Sequence, residues 1–119
     1  MACSTSGTIT MSENTGTYLK FGRLVILNGY FSVASVSSPV GAVTINGLPF
    51  TAGVGLRYQA SMSIAPNGFA AGLTQPWGQV FNGTAAANFY NFASGNIANA
   101  ASFFQAAADF RLFGAYFTD

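Results

Sequence analysis

Hydrolytic chemistry in this sequence would have to come from three carboxylic acids: Glu13, Asp109 and Asp119. A glycosidase needs two carboxylates held about 5–10 Å apart, one of them acting as the acid. Glu13 falls in a segment typical of a turn, and Asp119 is the last residue. Asp109 precedes Arg111 by two positions, which places both on one side of a strand as an exposed pair. Because nucleophile, base and orienting group cannot all be assigned, we predict that the chain is not an enzyme.

The other common site chemistries lack their residues. The chain has no histidine, which excludes imidazole catalysis and histidine-ligated metals. Its one cysteine, Cys3, cannot form an internal disulfide or a cysteine zinc site, and an inert thiol is expected there. Four basic residues are too few for a nucleic-acid interface. The sequence therefore predicts no cofactor, no metal and no nucleic-acid partner.

Aromatic side chains are the remaining candidates for a contact site. Rings of this kind stack on sugars, but they also fill small β-cores and subunit interfaces, and that second interpretation is favoured for any single ring. Trp77 is the exception, because the Gln75–Gly78 segment is typical of a turn, where an aromatic ring reaches solvent. Trp77 and Tyr90 are therefore the predicted ligand or partner contacts. The rings considered are Tyr18, Tyr30, Tyr58, Trp77, Tyr90 and Tyr116.

The composition predicts a surface covered by partners. Only 6% of the 119 residues are charged, whereas about 25% is typical of a soluble domain, and 50% are hydrophobic. Nothing would keep copies of such a monomer apart, so we predict a homotrimer. The longest aliphatic run, Leu24–Leu27, is far shorter than the ~18 residues of a membrane span. The start of the chain lacks the features of a secretory leader, which indicates synthesis in a cytoplasm.

Period-two alternation and frequent turn residues indicate short strands. In Leu24–Ala34 one face carries Val25, Leu27, Gly29, Phe31 and Val33 and is expected in the core, while the other begins apolar and becomes polar. Gly22–Arg23 and Asn82–Gly83 are typical hairpin turns, while Ser12–Gly16 is expected as a turn and Ser35–Gly41 as a loop. The predicted strands are Thr8–Met11, Thr17–Phe21, Leu24–Ala34, Ala42–Asn46, Leu56–Ile64, Phe69–Thr74, Gln79–Phe81, Asn88–Ala93 and Asp109–Phe117.

These elements predict one all-β domain over residues 1–119. Strands at a spacing of roughly 8–12 residues, with turn signals between them, favour an antiparallel β-sandwich or jelly roll. Ile97, Ala101, Phe104 and Ala108 recur at intervals of three or four residues, so a short helix is expected before the last strand. Phe50 is expected to close one end of the core.

Three segments resemble small β-domains of tailed-bacteriophage virion proteins. Thr15–Phe31 is similar to the opening pattern G-x-Y-x-K-x-G-x-x-V-x-x-x-G of those domains. Gly41–Phe50 resembles their G-x-x-x-I-x-G-L-P-F segment, and Phe110–Tyr116 their closing F/I-x-x-x-G-x-Y strand. The resemblance implies a β-sandwich, often trimeric, at the tip of a tail fibre or elsewhere on the virion surface. The matched residues are implied to be scaffold, and no binding residue carries over.

The resemblance leaves two locations on the virion. Tail-fibre domains of this type usually end a longer chain with a stalk, and no stalk is seen between Met1 and Asp119. We therefore expect first a trimeric capsid decoration (cement) protein, made in the bacterial host cytoplasm and bound to the major capsid protein. The alternative is a receptor-binding tip of a tail fibre that recognises a host surface glycan, which a piece of a longer chain would favour. A free-standing lectin is a further alternative.

Overall fold

The computed structural model describes residues 2–3, 6–93 and 96–119, and the side chains of residues 6–92 and 98–119. The expectations for the Cys3 thiol and the Ile97 side chain lie outside that part. Over the described ranges, no helix has the length and hydropathy needed to cross a bilayer. The strands are β1 (Ala2–Cys3), β2 (Ser6–Phe21), β3 (Leu24–Val40), β4 (Val43–Asn46), β5 (Ala60–Asn67), β6 (Pro76–Val80), β7 (Ala86–Ala93), β8 (Asn96–Asn99) and β9 (Asp109–Phe117).

The described strands form one antiparallel sheet in the order β1-β4-β7-β6-β5-β9-β3-β2, with β8 paired to the second half of β7. The all-β antiparallel prediction is confirmed. The sheet curls into a half-barrel, and a division into the two sheets of a sandwich is not confirmed. A curled sheet has a concave side, where side chains pack as a core, and a convex outer face.

A long hairpin of β2 and β3 forms one edge of the sheet. The Gly22–Arg23 turn is confirmed, since Phe21 pairs directly with Leu24. The predicted turn at Ser12–Gly16 and the predicted loop at Ser35–Gly41 are largely wrong, because strand pairing continues through Gly16 and as far as Val40. Their polar residues reflect solvent exposure on an edge pair, while register shifts between Ser6 and Glu13 absorb the irregular backbone.

The core contains the predicted inner face of β3. Val25, Leu27 and Val33 are buried, and Phe31 stacks on Phe110 with ring centroids 4.9 Å apart. Phe110 in turn contacts the rings of Phe69, Phe89 and Phe104, with centroids 5.0–6.2 Å away. Phe50 packs against this core as predicted, and its carbonyl accepts a 2.7 Å hydrogen bond from the Tyr116 hydroxyl.

The predicted strand at Phe69–Thr74 is wrong, because this segment forms a loop. Part of its backbone is bound by one side chain, because the buried amide of Asn91 accepts hydrogen bonds from the N–H groups of Thr74 and Gln75, at 3.1 and 2.9 Å. The same amide donates to the carbonyl of Gly72 at 3.4 Å. The Asn91 side chain thus adds to two backbone hydrogen bonds, from the Phe92 N–H to the Gln75 carbonyl and from the Ala70 N–H to the Phe103 carbonyl.

Two further predicted elements change type. The expected helix near residues 97–108 is strand β8 followed by a single 3₁₀ turn at Ala101–Phe103. The spacing nevertheless identified inward-facing residues, since Ala101, Phe104 and Ala108 are buried. The predicted strand at Leu56–Ile64 begins only at Ala60, because Leu56–Tyr58 forms another 3₁₀ turn.

Candidate functional site

Trp77 and Tyr90 lie side by side on the outer face of the sheet. Trp77 belongs to β6 and not to a turn, which corrects its predicted position. It pairs with Tyr90 of β7 across the strands, and the ring centroids are 5.7 Å apart. Both side chains are half-buried, so each still presents a surface to solvent. The structure therefore brings the two predicted contact residues together.

The two rings differ in how their polar atoms are satisfied. The Tyr90 hydroxyl accepts a 2.9 Å hydrogen bond from the amide of Asn88, whose oxygen accepts one from Thr44 at 3.2 Å. The indole N–H of Trp77 is buried and donates to no acceptor among the described residues. A buried donor without an acceptor costs about 1–3 kcal/mol. Trp77 thus carries a small energetic penalty at this position.

The strand register places apolar residues together at one end of the outer face. Leu19 pairs with Ile26, which pairs with Ala115. In the next row, which is closer to the Gly22–Arg23 turn, Phe21 pairs with Leu24, and Leu24 pairs with Phe117. The apolar patch, as we name it, consists of Leu19, Phe21, Leu24, Ile26, Phe113, Ala115 and Phe117.

The apolar patch is open to solvent. Phe21 is 77% exposed, Leu19 59%, Phe113 56% and Phe117 49%. Val54 and Leu56, which lie between β4 and β5, are also largely exposed, and nearby Gly53 donates a hydrogen bond to the carbonyl of Phe117. Contiguous exposed apolar side chains on a protein surface mark interaction sites.

The patch continues into the Trp77–Tyr90 pair. Phe113 of β9 pairs with Ser63 of β5, and Ser63 pairs with Trp77. Phe113, Ser63, Trp77 and Tyr90 therefore occupy one transverse row across four adjacent strands, with two of its aromatic rings already in contact. Sequence reasoning named the last two members of this row, Trp77 and Tyr90. It did not identify Phe113 as the link between the rings and the patch.

The opposite end of the outer face is polar. Arg111 lies over the ring of Tyr30, 5.0 Å from its centroid, and its Nη1 is 3.4 Å from the Asp109 carboxylate. Asn67 donates to the same carboxylate at 3.5 Å. The predicted Asp109–Arg111 pair is confirmed. Polarity thus changes along the strands, from the apolar patch at one end to an ion pair at the other.

A cationic corner borders the apolar patch beyond the Gly22–Arg23 turn. The Tyr58 hydroxyl accepts hydrogen bonds from Arg23 at 2.6 Å and from Arg57 at 3.4 Å. The Asp119 carboxylate lies 3.8 Å from the Arg23 guanidinium. The hydrogen bond from Arg23, followed by that from Arg57, lowers the pKa of the Tyr58 hydroxyl below its ordinary value. The same bond raises the pKa of Arg23. Arg23 also donates to the carbonyl of Thr118 at 3.0 Å, which fixes the end of β9 to the hairpin turn.

The three acids do not occupy one site. Glu13 lies in β2, at the pairing position of Ser32, and not in a turn as predicted. Asp109 binds Arg111, and Asp119 lies beside Arg23 at the other end of β9. Within the described ranges, no three His, Cys, Asp or Glu side chains gather as a metal site would require.

Comparisons with known proteins concern the fold. A scan against protein-family models and a search of curated proteins find no match. Among solved structures the chain is similar to the crystal structure of the Dettilon tailspike protein (gp208), with a TM-score of 0.81 and 24% sequence identity. The match covers 94% of this chain and 21% of that chain. The likeness shows the fold, and this chain spans only a small part of the tailspike.

Proposed function

We propose that this chain is a structural β-domain of a tailed-phage virion that acts by assembly and not by catalysis. The observation that carries the proposal is the apolar patch, because contiguous exposed apolar side chains mark surfaces at which another protein binds. The shared fold with part of a tailspike supports a virion protein. It also supports a place in the tail ahead of the capsid decoration role that the sequence favoured.

The proposed occupant of the patch is a second copy of the chain, within a trimer. Identical subunits usually assemble with closed cyclic symmetry, and a trimer repeats one patch contact three times. The six patch residues other than Phe113 form two adjacent rows without a charged member. Such a surface pairs with apolar surface at little desolvation cost.

Trp77 and Tyr90 are proposed to extend this contact at its rim. They share a transverse row with Phe113 and present half-buried rings. Aromatic anchors beside an apolar centre commonly contribute much of the binding energy of an interface. This role is a partner contact, and it does not require a ligand.

The oligomeric state tests the proposal. The wild-type chain is expected to sediment at about 37 kDa, three times the 12.3 kDa of the monomer. Phe21→Lys places a charge within the patch, and trimer affinity is expected to fall about a hundredfold or more, since a buried charge without a partner is strongly unfavourable. Thr15→Lys is the matched control, because Thr15 lies on the same strand and face at the polar end, opposite Tyr30.

Sedimentation equilibrium at about 10 µM distinguishes these outcomes, since interfaces of this kind hold at micromolar concentration. A wild-type monomer, or equal dissociation of Phe21→Lys and Thr15→Lys, would overturn the assembly proposal. Circular dichroism of both variants shows that the fold persists, which separates loss of assembly from loss of structure.

Capsid decoration is the second candidate, and the scarcity of charge favours it, because only 6% of residues offer ionic contacts to a shell. Binding to undecorated capsids would then depend weakly on salt. For the tail location we expect no capsid binding at low or high salt, and attachment to host cells instead. If Trp77 served as a glycan anchor, Trp77→Ala would abolish cell attachment and leave the trimer intact. Capsid binding by the wild type would restore the decoration role.

A further inference from the structure

Asparagine is followed directly by glycine at four places in the chain, which are Asn28–Gly29, Asn46–Gly47, Asn67–Gly68 and Asn82–Gly83. In this dipeptide the glycine nitrogen can attack the side-chain amide carbon of the asparagine. A succinimide ring forms and ammonia leaves, and water then opens the ring to a carboxylic acid. Glycine favours the attack because it has no Cβ to crowd the nitrogen and because its backbone rotates freely.

Two features of a folded chain decide how fast such a ring closes. The asparagine side chain must rotate until its amide carbon lies about 3–3.5 Å from the glycine nitrogen, so an amide that is bound to a neighbour reacts slowly. The glycine N–H must also be free, because an N–H that is bound to a carbonyl has to leave that acceptor before its nitrogen attacks. The contacts of the four dipeptides therefore rank them by reactivity.

In the turn at Asn82 both requirements fail. The Gly83 N–H donates hydrogen bonds to the carbonyls of Ala52 and Gly53, each at 3.1 Å. The Asn82 amide oxygen accepts a 3.0 Å hydrogen bond from the side chain of Gln59. These bonds hold the attacking nitrogen and the amide in place, so this asparagine is protected by the fold.

Two further asparagines are held by strand pairing. Asn28 lies within β3 and pairs with Thr17 on one side and Phe113 on the other, so ladder hydrogen bonds fix the backbone there. Asn67 pairs with Asp109 of β9, and its amide donates a 3.5 Å hydrogen bond to the carboxylate of that residue. The carboxylate also disfavours the negative charge that develops as the glycine nitrogen loses its proton. Both sites are therefore slowed.

The dipeptide at Asn46 meets both requirements. Asn46 is the last residue of β4, and its exposed side chain makes no hydrogen bond to the described part of the chain. Among the described residues, no acceptor binds the Gly47 N–H. Gly47 has a φ of 84°, and a Cβ at this position would meet no atom within 4 Å, so the space around the reacting groups is open.

We propose that Asn46 is a site of spontaneous deamidation and that it reacts before the other three asparagines. The Gly47 nitrogen forms a bond to the side-chain amide carbon of Asn46, and the proton of that nitrogen leaves with the amide group as ammonia. Water then cleaves one of the two carbon–nitrogen bonds of the ring. Cleavage at the side-chain carbon gives aspartate. Cleavage at the main-chain carbonyl gives isoaspartate, in which the backbone runs through the side chain.

The products differ from asparagine in charge and, for isoaspartate, in backbone length. One added carboxylate takes the formal net charge from +1 to 0. Isoaspartate also adds one carbon to the backbone between two fixed points, because Asn46 pairs with Ala86 and the Leu48 N–H donates to the Ala85 carbonyl at 3.0 Å. The apolar patch lies on β2, β3 and β9, so this inference is independent of the assembly proposal.

The test is incubation of the full chain in neutral buffer made with ¹⁸O-labelled water, followed by digestion and peptide mass spectrometry. Only asparagines that react during the incubation take up the label, and electron-transfer fragmentation distinguishes isoaspartate from aspartate. Asn46 is expected to convert about tenfold or more faster than Asn82, because the hydrogen bonds at Gly83 and Asn82 must break before that ring closes. Asn67 and Asn28 should also react more slowly than Asn46.

The same incubation in urea shows whether the fold sets this order. Once the chain is unfolded, the four dipeptides have the same two residues and none of the contacts that separate them, so their rates should converge. Conversion at Asn46 that stays the fastest by the same factor in urea would mean that the local sequence, and not the structure, selects the site.

Variants connect the reaction to the charge of the chain. Isoelectric focusing of the aged wild type should show a new species below the isoelectric point of about 7.9. Asn46→Gln should lose that species, because the longer side chain of glutamine closes a less favourable ring. Asn67→Gln is the matched control, since Asn67 is also exposed and also followed by glycine, and it should keep the species.

Three results would each overturn the proposal. The first is faster labelling of Asn28, Asn67 or Asn82 than of Asn46 in the folded chain. The second is an order of reactivity that urea does not change. The third is an acidic species that persists in full in Asn46→Gln. Circular dichroism of the two glutamine variants shows that the fold is kept, so that each comparison is made between folded chains.

Discussion

Phe110 and Phe113 stand three positions apart on β9, and the fold treats them in opposite ways. Phe110 is fully buried within a cluster of four other phenylalanine rings. Phe113 faces outward and is 56% exposed. The residue type is the same, so what differs is what covers each side of the sheet. The described residues place apolar side chains on both faces of the sheet, and within that part of the chain the segments outside the sheet cover the concave face only.

The cover of the concave side comes from segments that contribute little to the sheet. Phe69 lies in the loop held by Asn91, and Phe104 follows the 3₁₀ turn before β9. Their rings meet at 4.8 Å and close over Phe89 and Phe110. On the convex side, the four most exposed residues of the apolar patch are 49–77% accessible to solvent. The low charge content thus has two different origins, a filled core and an unfilled face.

The sharpest test of this comparison substitutes the two phenylalanines of β9. Phe110→Ala is expected to lower the free energy of unfolding by about 3–5 kcal/mol, because it leaves a cavity in a close-packed aromatic cluster. Phe113→Ala should change it by less than about 1 kcal/mol in the monomer, since exposed substitutions have small effects. Urea denaturation of each variant measures the difference.

The same pair separates stability from assembly. Phe113→Ala should weaken self-association, while Phe110→Ala should act on the folded subunit first. Equal losses of monomer stability in the two variants would mean that the outer face is also packed within one chain. The contrast between the faces would then have no basis.

Glycines give a second comparison, of intermediate size. A methyl group at Gly114 would lie 2.9 Å from Met62 Cγ and 3.2 Å from its Cα, so Gly114→Ala should cost about 1–3 kcal/mol through overpacking. Gly16→Ala, with 3.4 Å to the closest atom, should be neutral or stabilising because alanine restricts the unfolded chain. Thermal unfolding of both variants checks the order, and a smaller loss at Gly114 than at Gly16 would contradict it.

Sequence patterns predicted the parts of this fold whose signal is local. Alternation of apolar residues predicted that Val25, Leu27 and Val33 are buried. The Gly22–Arg23 pair predicted the position of the turn in the long β2–β3 hairpin. The polar stretch Ser12–Gly16 was misread as a turn because an edge strand with both sides wet carries the same residue types. Trp77 was misplaced for a related reason, since Pro76 is tolerated at the first residue of a strand.

The site was harder to predict than the strands. The contact between Trp77 and Tyr90 depends on the register between β6 and β7. In the same way, the adjacency of Gly16 and Gly29 depends on the register between β2 and β3. Registers of this kind are set by long-range packing, which a single sequence does not display. The role of Asn91 is equally non-local, because its amide holds a loop that lies 16 to 19 residues earlier.

The buried Tyr116 and the surface Tyr58 are expected to change the stability of the fold with pH in opposite directions. Burial raises the pKa of Tyr116, although the hydrogen bond with Phe50 partly offsets this. The unfolded chain then loses this proton first, near its ordinary value of 10.0, so stability should fall as pH rises above about 10. Tyr58 acts with the opposite sign, because its hydrogen bonds with Arg23 and Arg57 lower its pKa, so its contribution grows as pH approaches 10.

The Tyr58→Phe background isolates the buried hydroxyl. In that background stability should decline above about pH 10, and adding Tyr116→Phe should remove the decline. The double variant is also expected to lose about 1 kcal/mol at neutral pH, since the Phe50 carbonyl loses its 2.7 Å hydrogen bond. Guanidinium denaturation at several pH values measures both effects. A decline that persists in the double variant would show that Tyr116 is not its source.

The smallest expected effect concerns Trp77, whose burial lies between that of Phe110 and that of Phe113. Its ring is half-buried at the rim of the outer face, yet its indole N–H is enclosed without an acceptor among the described residues. Trp77→Phe removes that donor and some ring area together, so the two changes should nearly cancel, leaving unfolding within about 1 kcal/mol of the wild type. Trp77→Ala keeps neither the penalty nor the contact with Tyr90, and it should destabilise more. If Trp77→Phe proved as damaging as Trp77→Ala, removal of the enclosed N–H would not offset the lost ring area, and the penalty assigned to that N–H would be wrong.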